Sequence, residues 1–174
     1  MIDMLLPPEI TSTLVRDLFL YWQRKSAGRI GPRPREIEPG DIKHLLPYLA
    51  ISDVLSDPFD LRFRLVGTGI AEAMGDDFTG ALFSEMRVTT GRDVWLAHYK
   101  RVVAQKGAFF GRYRDMGMDS VRFVDHGAFP LSSDGTTVDR IIEVEDWSDI
   151  RGVSLGKHDT PIWRFELLPA PGSP

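Results

Sequence analysis

Hydrophobic positions along the chain fall into two periods, and each change of period marks a change of element. Ile10, Leu14, Leu18, Tyr21 and Trp22 recur three and four apart, which predicts an amphipathic helix over residues 9–25. Pro7 and Pro8 suit its entry, Arg24 and Lys25 its last turn, and Gly28 its exit. Residues 26–40, rich in Pro and Gly, lose the period and read as an irregular connector. Asp41 is placed to cap a short helix through Leu46, closed by Pro47. Leu49, Ile51, Asp53 and Val54 then predict a strand that ends at the turn Ser56-Asp57-Pro58. Residues 59–66 predict the second strand of a hairpin, with Leu61, Phe63 and Leu65 on one face and Arg62 and Arg64 on the other.

The period changes again at Gly67 and Gly69, where glycine allows either a positive φ or a close backbone approach. Ile70, Ala71, Ala73 and Met74 predict one or two helical turns, broken at Gly75, Asp76, Asp77 and Gly80. Leu82, Phe83 and Met86 add another apolar turn. Residues 91–106 form the strongest helix pattern of the middle region. Trp95, Tyr99, Val102 and Val103 share a face, Lys100, Arg101 and Lys106 lie toward its end, and Gly107 is its expected cap. Three strands follow, over residues 108–115, 121–132 and 138–147, with a turn at Ser133-Asp134-Gly135-Thr136. Trp163, Phe165 and Leu167 alternate with Arg164 and Glu166 like a further strand, and the last few residues read as disordered.

The last three strands lack the helical crossovers that a parallel sheet requires. The expected fold is therefore α+β, a five-stranded antiparallel sheet with helices on one face, plus an N-terminal helix. The division is 1–40 for the N-terminal helix and connector, 41–150 for the main domain, and 151–174 for a tail. With 174 residues, 43% hydrophobic and 26% charged, the chain has the make-up of a soluble domain with one sizeable core. A net charge of -4 argues against general nucleic-acid binding. No apolar run is long enough to cross a membrane and the N-terminus is not a signal peptide, so the expected location is cytoplasmic.

Recognisable catalytic patterns are missing. Gly67-Thr68-Gly69 imitates a dinucleotide fingerprint, but Glu72 stands where its third glycine belongs, and a hairpin is the wrong context. The histidines, His44, His98, His126 and His158, show no metal-ligand spacing. Asp76-Asp77 reads as a turn, while Glu143 and Glu145, sharing one strand parity, read as a solvated face near Asp146 and Asp149. Arg24, Lys25, Arg29, Arg33 and Arg35 form a basic segment that could meet an acidic partner or a phosphate, or be a solvated connector. With no cysteine, there is no disulfide, thiolate metal site or cysteinyl–flavin adduct.

The order strand, strand, helices, strand, strand, strand, with its glycine breaks, resembles the PAS sensor domain. It is most similar to a group of stand-alone PAS-like proteins of alphaproteobacteria, on Tyr21-Trp22, the connector from Gly31 to Pro39, Leu46-Pro47, the phrase from Phe63 to Thr68, and Phe78-Thr79-Gly80. The resemblance implies a non-catalytic sensory or interaction domain that dimerises frequently, and it implies no single ligand. A pocket between the sheet and the long helix has His98, Tyr99, Tyr113, His126 and Trp147 as its candidate lining. Haem-binding PAS domains take their axial histidine from that helix, where His98 lies. Partners are expected to be a second copy, through the apolar stripe of the N-terminal helix, and a separate signalling output protein. The alternatives are a scaffold or dimerisation module without a ligand, and a small enzyme on an α+β fold.

Overall fold

The computed structural model describes residues 10–86, 91–116, 121–148 and 165–167. Expectations for Pro7, Pro8, Asp149, His158, Trp163 and the final residues lie outside the described residues. Helix α1 spans Thr13–Ser26. The hairpin strands are β1 (Leu49–Ser56) and β2 (Phe59–Val66), followed by helices α2 (Thr68–Met74) and α3 (Arg92–Gln105). Strands β3 (Phe109–Met116), β4 (Val121–Leu131) and β5 (Arg140–Glu145) complete the five expected strands, and a short β6 (Phe165–Leu167) adds to β3. The sheet runs in the order β2-β1-β5-β4-β3-β6, and every neighbouring pair is antiparallel.

Both faces of this sheet are buried. On the inner face Ala50, Leu61, Phe63, Val124, Ala128 and Ile141 pack with Ile70 of α2 and with Trp95, Tyr99 and Val102 of α3. On the outer face Leu49, Phe129, Leu131, Ile142 and Val144 pack with Val15, Leu18, Phe19 and Trp22 of α1. The apolar stripe of α1 is therefore covered by the chain's own sheet. Of the large apolar residues of α1 only Leu20, at 50% exposure, points to water. The connector, with 3₁₀ turns at Pro34–Glu36 and Pro39–Ile42, leads back to the sheet, and Ile42 and Leu45 join the outer core. The capped helix expected from Asp41 to Leu46 is replaced by that second turn and another at Leu46–Tyr48. Pro47 has no N–H to donate to the Lys43 carbonyl, so a helix over Asp41–Leu46 could not continue past its first turn, and Leu45 and Leu46 instead bond back three residues, to Ile42 and Lys43.

Polar contacts fix where α1 sits. It starts at Thr13 because the Ser12 hydroxyl accepts from the Val15 N–H at 3.2 Å, an N-cap. The buried Asp125 of β4 accepts from the backbone N–H groups of Thr11 and Ser12, each at 2.8 Å, and from Arg112 Nε at 2.6 Å. The Trp22 indole donates to the carbonyl of Pro130 at 2.8 Å.

Two local expectations differ for geometric reasons. Leu65, expected on the buried face with Leu61 and Phe63, is 41% exposed. Ile51 pairs with Leu65 while its neighbour Ser52 pairs with Phe63, so Arg64 is an extra residue in β2, and this bulge changes the facing. At the end of α3 the left-handed position falls on Lys106 rather than Gly107. At Gly67 the requirement is close approach: φ is -67°, and a Cβ would lie 2.4 Å from the carbonyl oxygens of both Leu46 and Pro47. Gly75, by contrast, ends α2 at φ 75° in open space.

Trp22→Ala should lower unfolding free energy by about 3–5 kcal/mol in urea titration, because it opens a cavity beneath α1. Leu20→Ala on the same helix should stay within about 0.5 kcal/mol. Gly67→Ala should destabilise more than Gly75→Ala in thermal melts, since the first meets backbone atoms and the second only a strained φ of about 1 kcal/mol.

Candidate functional site

The site grows out of β5, whose two faces meet different surroundings. Ile142 and Val144 point to the α1 side, while Ile141, Glu143 and Glu145 point to the α3 side. This corrects the expectation of a solvated acidic face: Glu143 is 2% exposed and Glu145 is partly buried. In the sheet ladder Glu143 stands between Ala50 of β1 and Ala128 of β4, whose small side chains leave room for it. Glu145 stands opposite His126, which is 1% exposed.

Each carboxylate is held by aromatic donors. Tyr99 of α3 donates its hydroxyl to Glu143 Oε2 at 2.8 Å, and His126 Nε2 lies 3.1 Å from the same oxygen. Tyr113 of β3 donates to Glu145 Oε2 at 2.8 Å, and the Trp147 indole donates to that oxygen at 2.7 Å. Trp95 packs edge-on against both His126 and Tyr113 with ring centres 5.1 and 5.3 Å away. Loss of water, and then the neighbouring Glu143 charge, push the Glu145 carboxyl above the usual range. Burial, and then Glu143, push the Tyr99 phenol well above its usual range, so it remains a donor at neutral pH.

Glu143 and Glu145 line a cavity of about 30 Å³ between sheet and α3, walled by Phe63, Ile70, Met74, Phe83, Met86, Trp95, Tyr99 and Tyr113 among others. That volume suits one or two waters or an ion rather than a metabolite, whose sites are about 300–1,000 Å³. Of the five candidate residues, Tyr99 and Tyr113 line the cavity, while His126 and Trp147 contact its carboxylates. His98 stands apart. Its ring packs at a tilt against Phe109, with ring centres 4.3 Å apart, and burial, followed by the charges of His126 and Arg101, lowers its imidazole below the usual value. A haem macrocycle does not fit the cavity as it stands, and His98 is not part of its wall.

Glu143 and Glu145 are the functional candidates that sequence reasoning missed. The available signal was β5 itself: apolar residues occur on both parities, as Ile141 and Trp147 on one and Ile142 and Val144 on the other. That is the pattern of a strand buried on both faces. Spacing along the chain does not reveal the meeting of His126 with these two carboxylates, because the three come from two strands paired across the sheet.

Elsewhere, the basic segment divides. Lys25 pairs with Asp41 at 3.4 Å and Arg29 with Glu36 at 3.0 Å, whereas Arg33 and Arg35 line a surface groove with Pro34, Ser133 and Arg140. His44 is exposed and lies 2.9 Å from Asp17. No helix among the described residues is long and apolar enough to cross a membrane.

No match was found among curated proteins or among solved structures. The family described as PAS domain matches residues 10–114, more than half of the chain. The match starts ahead of α1 and runs into β3, and the antiparallel sheet with α2 and α3 on its inner face has the α+β architecture expected of that family. The chain belongs to the PAS domain family.

Proposed function

We propose that this PAS domain is a non-catalytic, cytoplasmic sensory module that holds a small ligand between the inner face of its sheet and α3. PAS membership supports a sensory or interaction role in general. The observation that carries the ligand is the pair Glu143 and Glu145 at a core cavity, each gripped by aromatic donors. An apolar side chain at those positions would be more stable than a carboxylate stripped of water. Charged groups kept in a core at such expense are candidates for function. Met74 and Met86, adaptable side chains in the cavity wall, could move to enlarge it.

A ligand at Glu143 would reach both the α3 side, through Tyr99, and the α1 side, through Ile142 and Val144 on the same strand. Output to a second copy or to a separate signalling protein would use the exposed side of α1 around Leu20. A second reading, an interaction module with no ligand, is favoured by the small volume of the cavity.

Native mass spectrometry of the purified chain tests the two readings. The expected result is an added mass on the wild type that is lost in Glu145→Gln. A ligand at a hundred times its Kd should also raise unfolding free energy by about 2.7 kcal/mol. A bare mass, with no thermal shift across a panel of metabolites and inorganic ions, would overturn the ligand reading in favour of the ligand-free module.

A further inference from the structure

We propose that the ligand of this cavity is a divalent first-row transition ion, held by His126 Nε2, Glu143 and Glu145. The inference rests on the sensory reading above and names the class of species sensed. One ligand atom from each of the three residues lies within 4.8 Å of the other two. Donor atoms around a four-coordinate ion with bonds of about 2.1 Å stand roughly 3.4 Å apart, so closing the site requires movements of about 1 Å.

Four observations point to an ion. The first is size: about 30 Å³ accommodates an ion with a water without any movement of the wall, whereas an organic cation would require the cavity to enlarge. The second is charge, since two carboxylates facing one small space call for a positive species between them. The third is the hydrogen-bond pattern. Tyr99 and His126 meet Glu143 at Oε2, and Tyr113 and Trp147 meet Glu145 at Oε2. These aromatic donors would then orient the ligating carboxylates, as outer partners do in metal sites. The fourth is His126 itself, which is 1% exposed and points its Nε2 into the cluster.

The donor set defines the class. One imidazole with two carboxylates suits Mn²⁺, Fe²⁺, Co²⁺ or Zn²⁺ better than Mg²⁺ or Ca²⁺, which favour all-oxygen shells, and no thiolate is present to select a softer ion. Three protein ligands leave a position for water or for a second species from solution.

Co²⁺ is a suitable probe, because it gives a visible ligand-field spectrum and shifts nearby nuclei. The wild-type chain should take up one Co²⁺ with a ligand-field band, and the imidazole shifts in the NMR spectrum should fall on His126. Glu143→Gln and Glu145→Gln, folded by circular dichroism, should lose the band. Shifts confined to His44, an unchanged band in both folded variants, or no uptake would each overturn the proposal, and the histidine shifts decide even if the variants fail to fold. An organic compound in the native mass spectrum together with no Co²⁺ signal would remove the ion and leave the sensory reading standing.

Discussion

One chain covers both faces of one antiparallel sheet, and the rest of the structure follows from that constraint. Strands that are buried on both sides cannot use the usual alternation of apolar and polar residues. β5 carries Ile141 and Ile142 at adjacent positions, each fully buried and each in a different core cluster. Outer coverage depends on α1, which is anchored by Trp22 on the Pro130 carbonyl and by the Thr11 and Ser12 amides on Asp125. Inner coverage depends on α2 and α3, with Gly67 bringing the chain close to Leu46 and Pro47 as it leaves β2.

Within that frame, a charged residue at an inward position of β5 is largely cut off from bulk water, Glu143 almost completely and Glu145 in part. Glu143 and Glu145 are therefore surrounded by the donors the core can supply: two tyrosine hydroxyls, an indole and an imidazole. These hydrogen bonds reduce the expense of burial without removing it, because breaking contact with water disfavours a carboxylate strongly. The arrangement links the sheet to α3 through Tyr99, so a change of charge or occupancy at the carboxylates bears directly on the packing of that helix.

Much of this was legible in the sequence, where period alone decides the outcome. Strand β2 runs over Phe59–Val66, as alternation and turn residues implied, and α3 shows the expected buried stripe of Trp95, Tyr99 and Val102. What escaped was tertiary. The stripe of α1 shows that something covers it, but a period cannot say whether the cover is the chain's own sheet or a second molecule. A bulge at Arg64 exposed Leu65, since one inserted residue exchanges the two faces of a strand. Glu143 and Glu145 looked solvated because charged residues on one parity ordinarily are. Only the apolar residues flanking them on the same parity, Ile141 and Trp147, pointed the other way.

The central claim, that the β5 carboxylates are kept for binding at the expense of stability, is tested most directly by the pH dependence of unfolding in wild type and Glu145→Gln. Glu145 has a folded-state pKa raised above its unfolded value, so its protonation stabilises the fold. That contribution is complete below the unfolded carboxyl value of about 4.3 and is lost as pH rises through the raised folded value. Glutamine does not titrate, so the ligand-free variant should gain on the wild type across that window and be the more stable protein at neutral pH. A variant that loses ground on the wild type as pH rises, and is the less stable at neutral pH, would mean that the ionised carboxylate holds the fold together, and would contradict the account.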